Sequence, residues 1–331
     1  MGASIKDVAA RAGVSTATVS YVLNGSRSTS EQTRRRVLAA IEELGYSQNQ
    51  AARNLARGRG SILGLVISDI RNPFFPEITA GFQDQALLHN LDALVVNTNY
   101  DADRTLNSVR RLLGLQVPGV AILTSQIDPS VIDLLAKRGV AAVYLDLGRV
   151  DRAISNIVLD YEHGIAEALE HLTALGHRRI GYVGGPPHLL SARRRKRAFQ
   201  DSAARMGLDP ERALDGDFTV RGGYSGASQL LAAGPLSAIV GGNDLTAIGV
   251  LHRACDAGLK VPSDLSVVGF DDISISEYAQ PSLTTVAVPR HEIGTVAFRA
   301  LWAMMSDPDL AGREYRVGTR LIVRHSAAGV A

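Results

Sequence analysis

From Ser61 onward the chain alternates two kinds of segment, and no other feature constrains its fold as strongly. The runs ILGLVIS, LDALVVNT, GVAILT and AAVYLD are short, apolar and rich in β-branched residues, and stretches of helical patterning separate them. A second series follows: RIGYVGG, SAIVGG and LSVVGFDD. Strands with no polar side must be covered on both faces, and helical crossovers do this in parallel, doubly wound sheets. The two series join near 157–160 and again near 286–290, which predicts two α/β lobes with a cleft between them. One lobe takes about 61–157 plus 290–316, the other about 158–289 plus 317–331. In such sheets ligands bind beyond the carboxyl ends of the strands.

Ahead of this body stands a head of different character. Ile5, Val8, Ala9 and Ala12 recur at helical spacing behind Ser4, with Asp7 completing a capping box, and Gly13 ends the helix. Ser15 caps a second helix with Val19, Val22 and Leu23 inward, closed by Asn24-Gly25; a third, about 31–44, buries Val37, Ile41 and Leu44 before Gly45. This is a helix-turn-helix head over 1–45, all α. The outer stripe of the second helix is Thr16, Ala17, Ser20 and Tyr21. An ordinary solvated face would carry Glu and Lys; short side chains ending in hydroxyls or methyls suit a helix lying in a DNA major groove. Residues 46–60 have helix formers around Ala51, Ala52 and Leu55, then Gly58 and Gly60, and read as a hinge helix and linker. With no core of its own to join, Leu55 suits a minor-groove wedge, so Leu55→Ala is expected to weaken specific DNA binding and leave the fold intact.

Charge divides along the same boundary. The net +2 splits into +5 over residues 1–60 and −3 over the rest, which gives the head the sign of a polyanion-binding surface. A single cysteine, Cys255, excludes an internal disulfide and fits a reducing cytoplasm. The N-terminal MGASIKDVAA has no apolar core of a signal peptide, and no apolar run is long enough for a membrane span. No C-terminal heptad run follows LIVRHS, so a homodimer without a helical tetramerisation tail is expected.

Beyond these patterns, IKDVAARAGVSTATVSYVLNG, TRRRVLAAIEELGY and NLARG, followed by SDIRNPFFPEI, HLTALGHRRIGYVGG, GGNDLTAIGVL, VPSDLSVVGFDD, PSLTTVAVP and LIVRHS, resemble the lactose/galactose-repressor (LacI-type) family of bacterial regulators. The resemblance runs in order through essentially the whole chain. It implies periplasmic-binding-protein-like lobes, a pseudo-palindromic double-stranded operator, a homodimer and a small-molecule effector. On the DNA side it implies contacts from Ser4, Ser15, Thr16, Ala17, Ser20, Tyr21, Asn24, Thr29, Asn49, Ala52, Arg53 and Leu55. Two departures stand out: Tyr21 where many members have Arg, and Gln48 where Pro is usual.

The strand ends supply the effector candidates: Ser68, Asn72, Phe74 and Phe75, then Asp146, Arg195, Phe218, Asn243 and Asp271. Carboxylate, amide and a forked guanidinium suit a polyhydroxylated ligand, while rings stack on its apolar face. The family resemblance implies effector contacts for Ser68, Phe74, Asp146, Arg195, Phe218, Asn243 and Asp271. It also sets Arg195 apart from Arg193, Arg194, Lys196 and Arg197, which read as a solvated helix face. A sugar is the expected effector, and relatives that bind nucleobases or nucleosides make a purine the alternative.

Enzyme signatures are missing. There is no GxGxxG, phosphate loop or HExxH, and the eight histidines show no pairing at i+3 or i+4, so no metal and no cofactor is expected. GYSGA at 223–227 ends in Ala where a nucleophile elbow needs Gly. Asp271 and Asp272, adjacent on a strand, point to opposite faces, which is poor geometry for a paired acid and base. A stand-alone solute-binding protein is the other alternative; it would require an export signal and would have no use for a basic head.

Overall fold

A computed structural model describes residues 3–24, 28–46, 60–124, 128–307 and 309–330, and the chain divides into two compact units, 1–60 and 61–331. Among its described residues the first holds three helices, α1 (Ile5–Ala12), α2 (Thr16–Asn24) and α3 (Glu31–Leu44). Their ends are made by local chemistry. Ser4 Oγ accepts the Asp7 N–H while the Asp7 carboxylate accepts the Ser4 N–H, and Ser15 Oγ and Ser30 Oγ accept from the N–H groups of Thr18 and Thr33. Gly13 and Gly45, both left-handed, stop α1 and α3. Val8, Ala9, Ala12, Val19, Val37 and Ala40 form the core, with Val22, Leu23, Ile41 and Leu44 packed around it. Of the hinge expected over 46–60, only Tyr46 and Gly60 are described; Asn49, Ala52, Arg53 and Leu55 lie outside the described residues.

Among its described residues the second unit is built on two six-stranded sheets. The first contains β1 (Ile62–Ile67), β2 (Asp92–Asn97), β3 (Gly119–Leu123), β4 (Ala141–Leu145), β5 (Ile154–Leu159) and β11 (Glu314–Val317), in the order β11-β5-β4-β3-β1-β2, every pair parallel. The second contains β6 (Ile180–Val183), β7 (Ala213–Leu214), β8 (Ala238–Gly241), β9 (Ser266–Asp271), β10 (Thr284–Ala287) and β12 (Arg320–Ile322), in the order β12-β10-β9-β8-β6-β7. Here β12 runs antiparallel to β10, an exception to the all-parallel expectation. It is an edge strand entered from β11 across only Gly318 and Thr319, with no helical crossover of the kind that sets a strand parallel to its neighbour.

The chain passes between the sheets three times: from β5 into α7 (Tyr161–Ala174), from β10 into α12 (Arg290–Ser306), and from β11 to β12. The first sheet is flanked by α4 (Phe74–Leu88), α5 (Ala102–Gly114), α6 (Pro129–Arg138) and α12. The second is flanked by α7, α8 (Leu190–Arg205), α9 (Val220–Ala233) and α10 (Asp244–Asp256), with the short α11 (Ile275–Tyr278) at its edge. β1, β3, β4, β6, β8 and β9 are buried almost end to end, as continuous apolar runs require, whereas the edge strand β2 leaves Asp92, Leu94 and Asn97 exposed.

Two helix pairs are packed backbone to backbone. A methyl group at Gly81 of α4 would overlap the His291 carbonyl oxygen, and one at Gly294 of α12 would overlap the Ile78 carbonyl oxygen. In the other lobe Gly223 of α9 and Gly249 of α10 meet carbonyl oxygens of the facing helix in the same way. Each lobe therefore has one stiff helix pair against its sheet.

Candidate functional site

In the head, α2 presents Thr16 and Ala17 exposed and Ser20 and Tyr21 half-buried, beside the exposed Ser15. Ser4 and Ser15 spend their hydroxyls on helix caps, and Thr29 is half-buried just before the Ser30 cap. Asn24 is the last residue of α2. The outer stripe of α2 is low because every large apolar side chain of this helix is turned toward Val8 and Val37. Arg11 is paired with Glu43 at 2.6 Å, which reduces its availability to a phosphate, whereas Lys6, Arg34 and Arg36 stand exposed.

In the body, twelve residues enclose a cavity of about 30 Å³ at the carboxyl ends of the strands: Asn72, Phe74, Phe75, Tyr100, Leu123, Leu145, Tyr161, Ser191, Arg195, Phe218, Asn243 and Asp271. Both lobes contribute. Phe74 and Phe75 open α4 and meet edge to face, with ring centroids 5.2 Å apart. Arg195, from the second turn of α8, is only 6% exposed at its side chain. It donates to the Asp271 carboxylate at 2.9 Å and to the Gly242 carbonyl at 2.6 Å. Its guanidinium also lies over the rings of Phe270, Tyr161 and Phe218, at 4.2, 5.0 and 5.5 Å from their centroids. Burial works against this charge most strongly, and Asp271 together with the neighbouring Tyr161 and Tyr182 outweighs it, so Arg195 stays ionised. Burial likewise pushes the Asp271 carboxyl up, with Arg195 and Arg290 opposing. Tyr100, which bonds Asn72, is pushed up to about 12 by burial and is a neutral donor at physiological pH.

Three of these groups and one neighbour sit on unusual backbone. Tyr100, Phe218 and Asp271, together with Asp146 just behind the wall, have φ of 58°, 61°, 110° and 58°. Non-glycine residues in this region carry strain of about 1 kcal/mol or more, and their grouping around this cavity makes it the candidate functional centre.

The structure brings Asn72, Phe74, Phe75, Arg195, Phe218, Asn243 and Asp271 of the expected set to the cavity, and leaves two out. Ser68 is fully buried and donates to Thr124. Asp146 is turned away to accept from the Tyr161 hydroxyl at 2.6 Å, the Leu159 N–H and Arg194 at 3.0 Å, with burial still raising its carboxyl. Arg194 is accordingly no solvated residue: it joins Asp146 of one lobe to Glu162 of the other. Asn243 is both wall and cap, since its amide oxygen accepts from Thr246 and its NH₂ donates to the Phe218 carbonyl.

Sequence reasoning missed Tyr100, Tyr161 and Ser191. The first follows β2 in NTNYD, whose asparagines and aspartate were a usable turn signal, and Asn99 and Tyr100 are both left-handed there. Tyr161 follows β5, whose sequence ISNIVL hides a buried strand behind Ser155 and Asn156. A larger open cavity of about 720 Å³ lies beside the crossovers at 287–292 and 318–320. Its walls lack the convergent rings, so the smaller cavity is the better ligand site.

Asp244, behind Asp271, is a third buried carboxyl among the described residues. It accepts from the Ile273 N–H and the hydroxyls of Ser276 and Thr285, and burial with the nearby Asp271 charge pushes it up to about 7. Below about pH 4 it is protonated folded or unfolded; from there to about pH 7 only the unfolded chain releases the proton. Its contribution therefore falls as pH rises through that window, by on the order of 4 kcal/mol. Urea unfolding at several pH values is expected to show that fall in the wild type relative to Asp244→Asn; parallel curves would contradict it.

The lacI family of bacterial regulatory proteins matches residues 4–49, and a periplasmic binding protein-like domain matches residues 169–327. Catabolite control protein A of Priestia megaterium is 32% identical over 98% of this chain and 99% of its own length. The HTH-type transcriptional repressor PurR of Photobacterium profundum is 31% identical over 98% of each. Among solved structures, the lac repressor dimer bound to operator and the anti-inducer ONPF superposes with a TM-score of 0.86 at 28% identity, covering 99% of this chain and 100% of that one. A complex of the transcriptional regulator CelR with cellobiose gives 0.74 at 29% identity, covering 98% and 99%.

Proposed function

We propose, since the chain belongs to the lacI family of bacterial regulatory proteins, that it is a homodimeric repressor whose operator affinity is set by an uncharged, polyhydroxylated molecule, a sugar, bound between its lobes. The observation that carries this reading is the cavity itself: one buried arginine–carboxylate pair, two asparagines and a wall of rings. The pair offers donors and acceptors to hydroxyl groups and adds no net charge, so a neutral polyol fits better than a sugar phosphate. Five aromatic side chains, Phe74, Phe75, Tyr100, Tyr161 and Phe218, also suit a stacked base, which supports a purine as the second reading. The buried carboxylates Asp146 and Asp271 are each committed to an arginine, which favours binding over acid–base chemistry.

The mechanism follows from size. A cavity of about 30 Å³ holds roughly one water, so a monosaccharide enters only if the lobes or the lining side chains move. An effector that prefers one lobe arrangement shifts the population toward it, and operator affinity changes by the same coupling free energy. In each head, Thr16, Ala17, Ser20 and Tyr21 are proposed to read bases, while exposed arginines hold phosphates. The repressor would act in the cytoplasm; among the described residues no helix is long and apolar enough to cross a membrane.

The test is fluorescence anisotropy of the whole protein on a pseudo-palindromic operator from its own upstream region, repeated with ribose, cellobiose, other sugars and purines. One sugar that abolishes or creates tight binding supports the reading; a response to purines alone transfers it to the second. Binding indifferent to DNA sequence would overturn both. In the same assay operator affinity is expected to fall about a thousandfold between 50 and 200 mM salt, the loss for about six phosphate contacts; a flat profile would remove the arginines from the interface.

A further inference from the structure

Among the described residues outside the cleft, a connection between the lobes that the effector site does not itself require is centred on Arg290. This residue opens α12, in the first lobe, immediately after the chain has crossed from β10. Its side chain is 9% exposed and its fork is fully used. Nε and one terminal nitrogen donate to the two carboxylate oxygens of Glu77, both at 3.0 Å, within the same lobe. The other terminal nitrogen donates to the backbone carbonyl oxygen of Asp271, at the end of β9 in the opposite lobe.

The placement of that last bond gives it meaning. Asp271 is the residue whose carboxylate holds Arg195 in the cleft, and its φ of 110° is a conformation that an aspartate does not keep without help. On the far side, Glu77 lies on α4, the helix that begins with Phe74 and Phe75 of the cavity wall and is locked to α12 by the Gly81 and Gly294 contacts. A planar guanidinium with three directed donors spans this junction, and a lysine or an apolar residue could not reproduce the fork.

We propose that Arg290 is a positioning residue for the effector site: from one lobe, held by Glu77, it fixes the backbone of Asp271 in the other, and so ties the carboxylate that meets the effector to the stiff α4–α12 pair. This rests on the reading of the cleft as the effector site. A movement of Asp271 on binding is then delivered directly to α12 rather than absorbed by a flexible strand end.

Hydrogen–deuterium exchange on the intact protein tests this without DNA or effector. In Arg290→Met, amides of the segment 270–276 are expected to exchange about tenfold faster than in the wild type, the size of effect a charge-assisted hydrogen bond commands. In Glu77→Gln, which keeps an amide oxygen for the fork and leaves the Asp271 bond in place, the change is expected to stay within about threefold. Exchange in the cores of β1 and β8 should match the wild type in both, which separates a local release from general destabilisation. Unchanged exchange at 270–276 in Arg290→Met, or equal acceleration in the two variants, would overturn the proposal. Because no ligand is used, either outcome leaves the operator titration to decide separately whether the cleft binds an effector.

Discussion

Arg195→Met is expected to bind the operator with near wild-type affinity and to need at least about a hundredfold more effector for the same response. The DNA contacts are proposed for the head, and the substitution lies in the other compact unit. In the cleft, by contrast, Arg195 supplies the donors of the wall and the partner of Asp271. Losing two charge-assisted hydrogen bonds to a ligand costs about 3 kcal/mol or more, which is a factor of about a hundred or more in affinity. Met fills much of the aliphatic volume between Phe218, Phe270 and Tyr161, so the rings keep a neighbour. The orphaned Asp271, already pushed up by burial, can take up a proton rather than remain as a bare buried charge. The measurement is anisotropy with the effector identified in the wild type, alongside a thermal melt. An effector response equal to wild type would remove Arg195 from the ligand site; loss of operator binding with a normal melt would break the separation of head and body.

Gly294→Ala is expected to destabilise the body by about 3–5 kcal/mol, with Gly81→Ala close behind. A single methyl is a small addition, but its neighbour would be the Ile78 carbonyl oxygen, a backbone atom that no side-chain rotation can clear. α4 and α12 would have to separate, opening the packing of Phe82, Ile293, Ala297 and Phe298 between them. Gly114→Ala is the control: it ends an exposed turn of α5 with nothing within reach of a new Cβ, so it should be neutral or stabilise by about 0.5–1 kcal/mol. Urea unfolding of the three variants checks this. A Gly294→Ala midpoint equal to that of Gly114→Ala would show that the helix pair is less tightly set than the geometry states.

The amino-acid sequence by itself determined whatever a few neighbouring residues can encode. The head's helices begin at Ser4, Ser15 and Ser30 and end at Gly13 and Gly45 because caps and left-handed stops are local chemistry. The lobes follow from continuous apolar runs, since a buried strand has no polar face to show. The short or polar strands β5, β7, β10, β11 and β12 were not legible, because each is specified by the neighbour it pairs with. Only tertiary structure decided what buried polar side chains do. Ser68 and Asp146 stand at strand ends like Asp271, yet Thr124 and Tyr161 claim them, and Arg194, one position from Arg195, turns to a different carboxylate. The ion pairs around the cleft link residues 48 and 213 positions apart, Asp146 to Arg194 and Glu77 to Arg290. Caps and strands are written in local spacing; such partners are chosen by packing, because a buried charge must find its counter-ion wherever the fold delivers one.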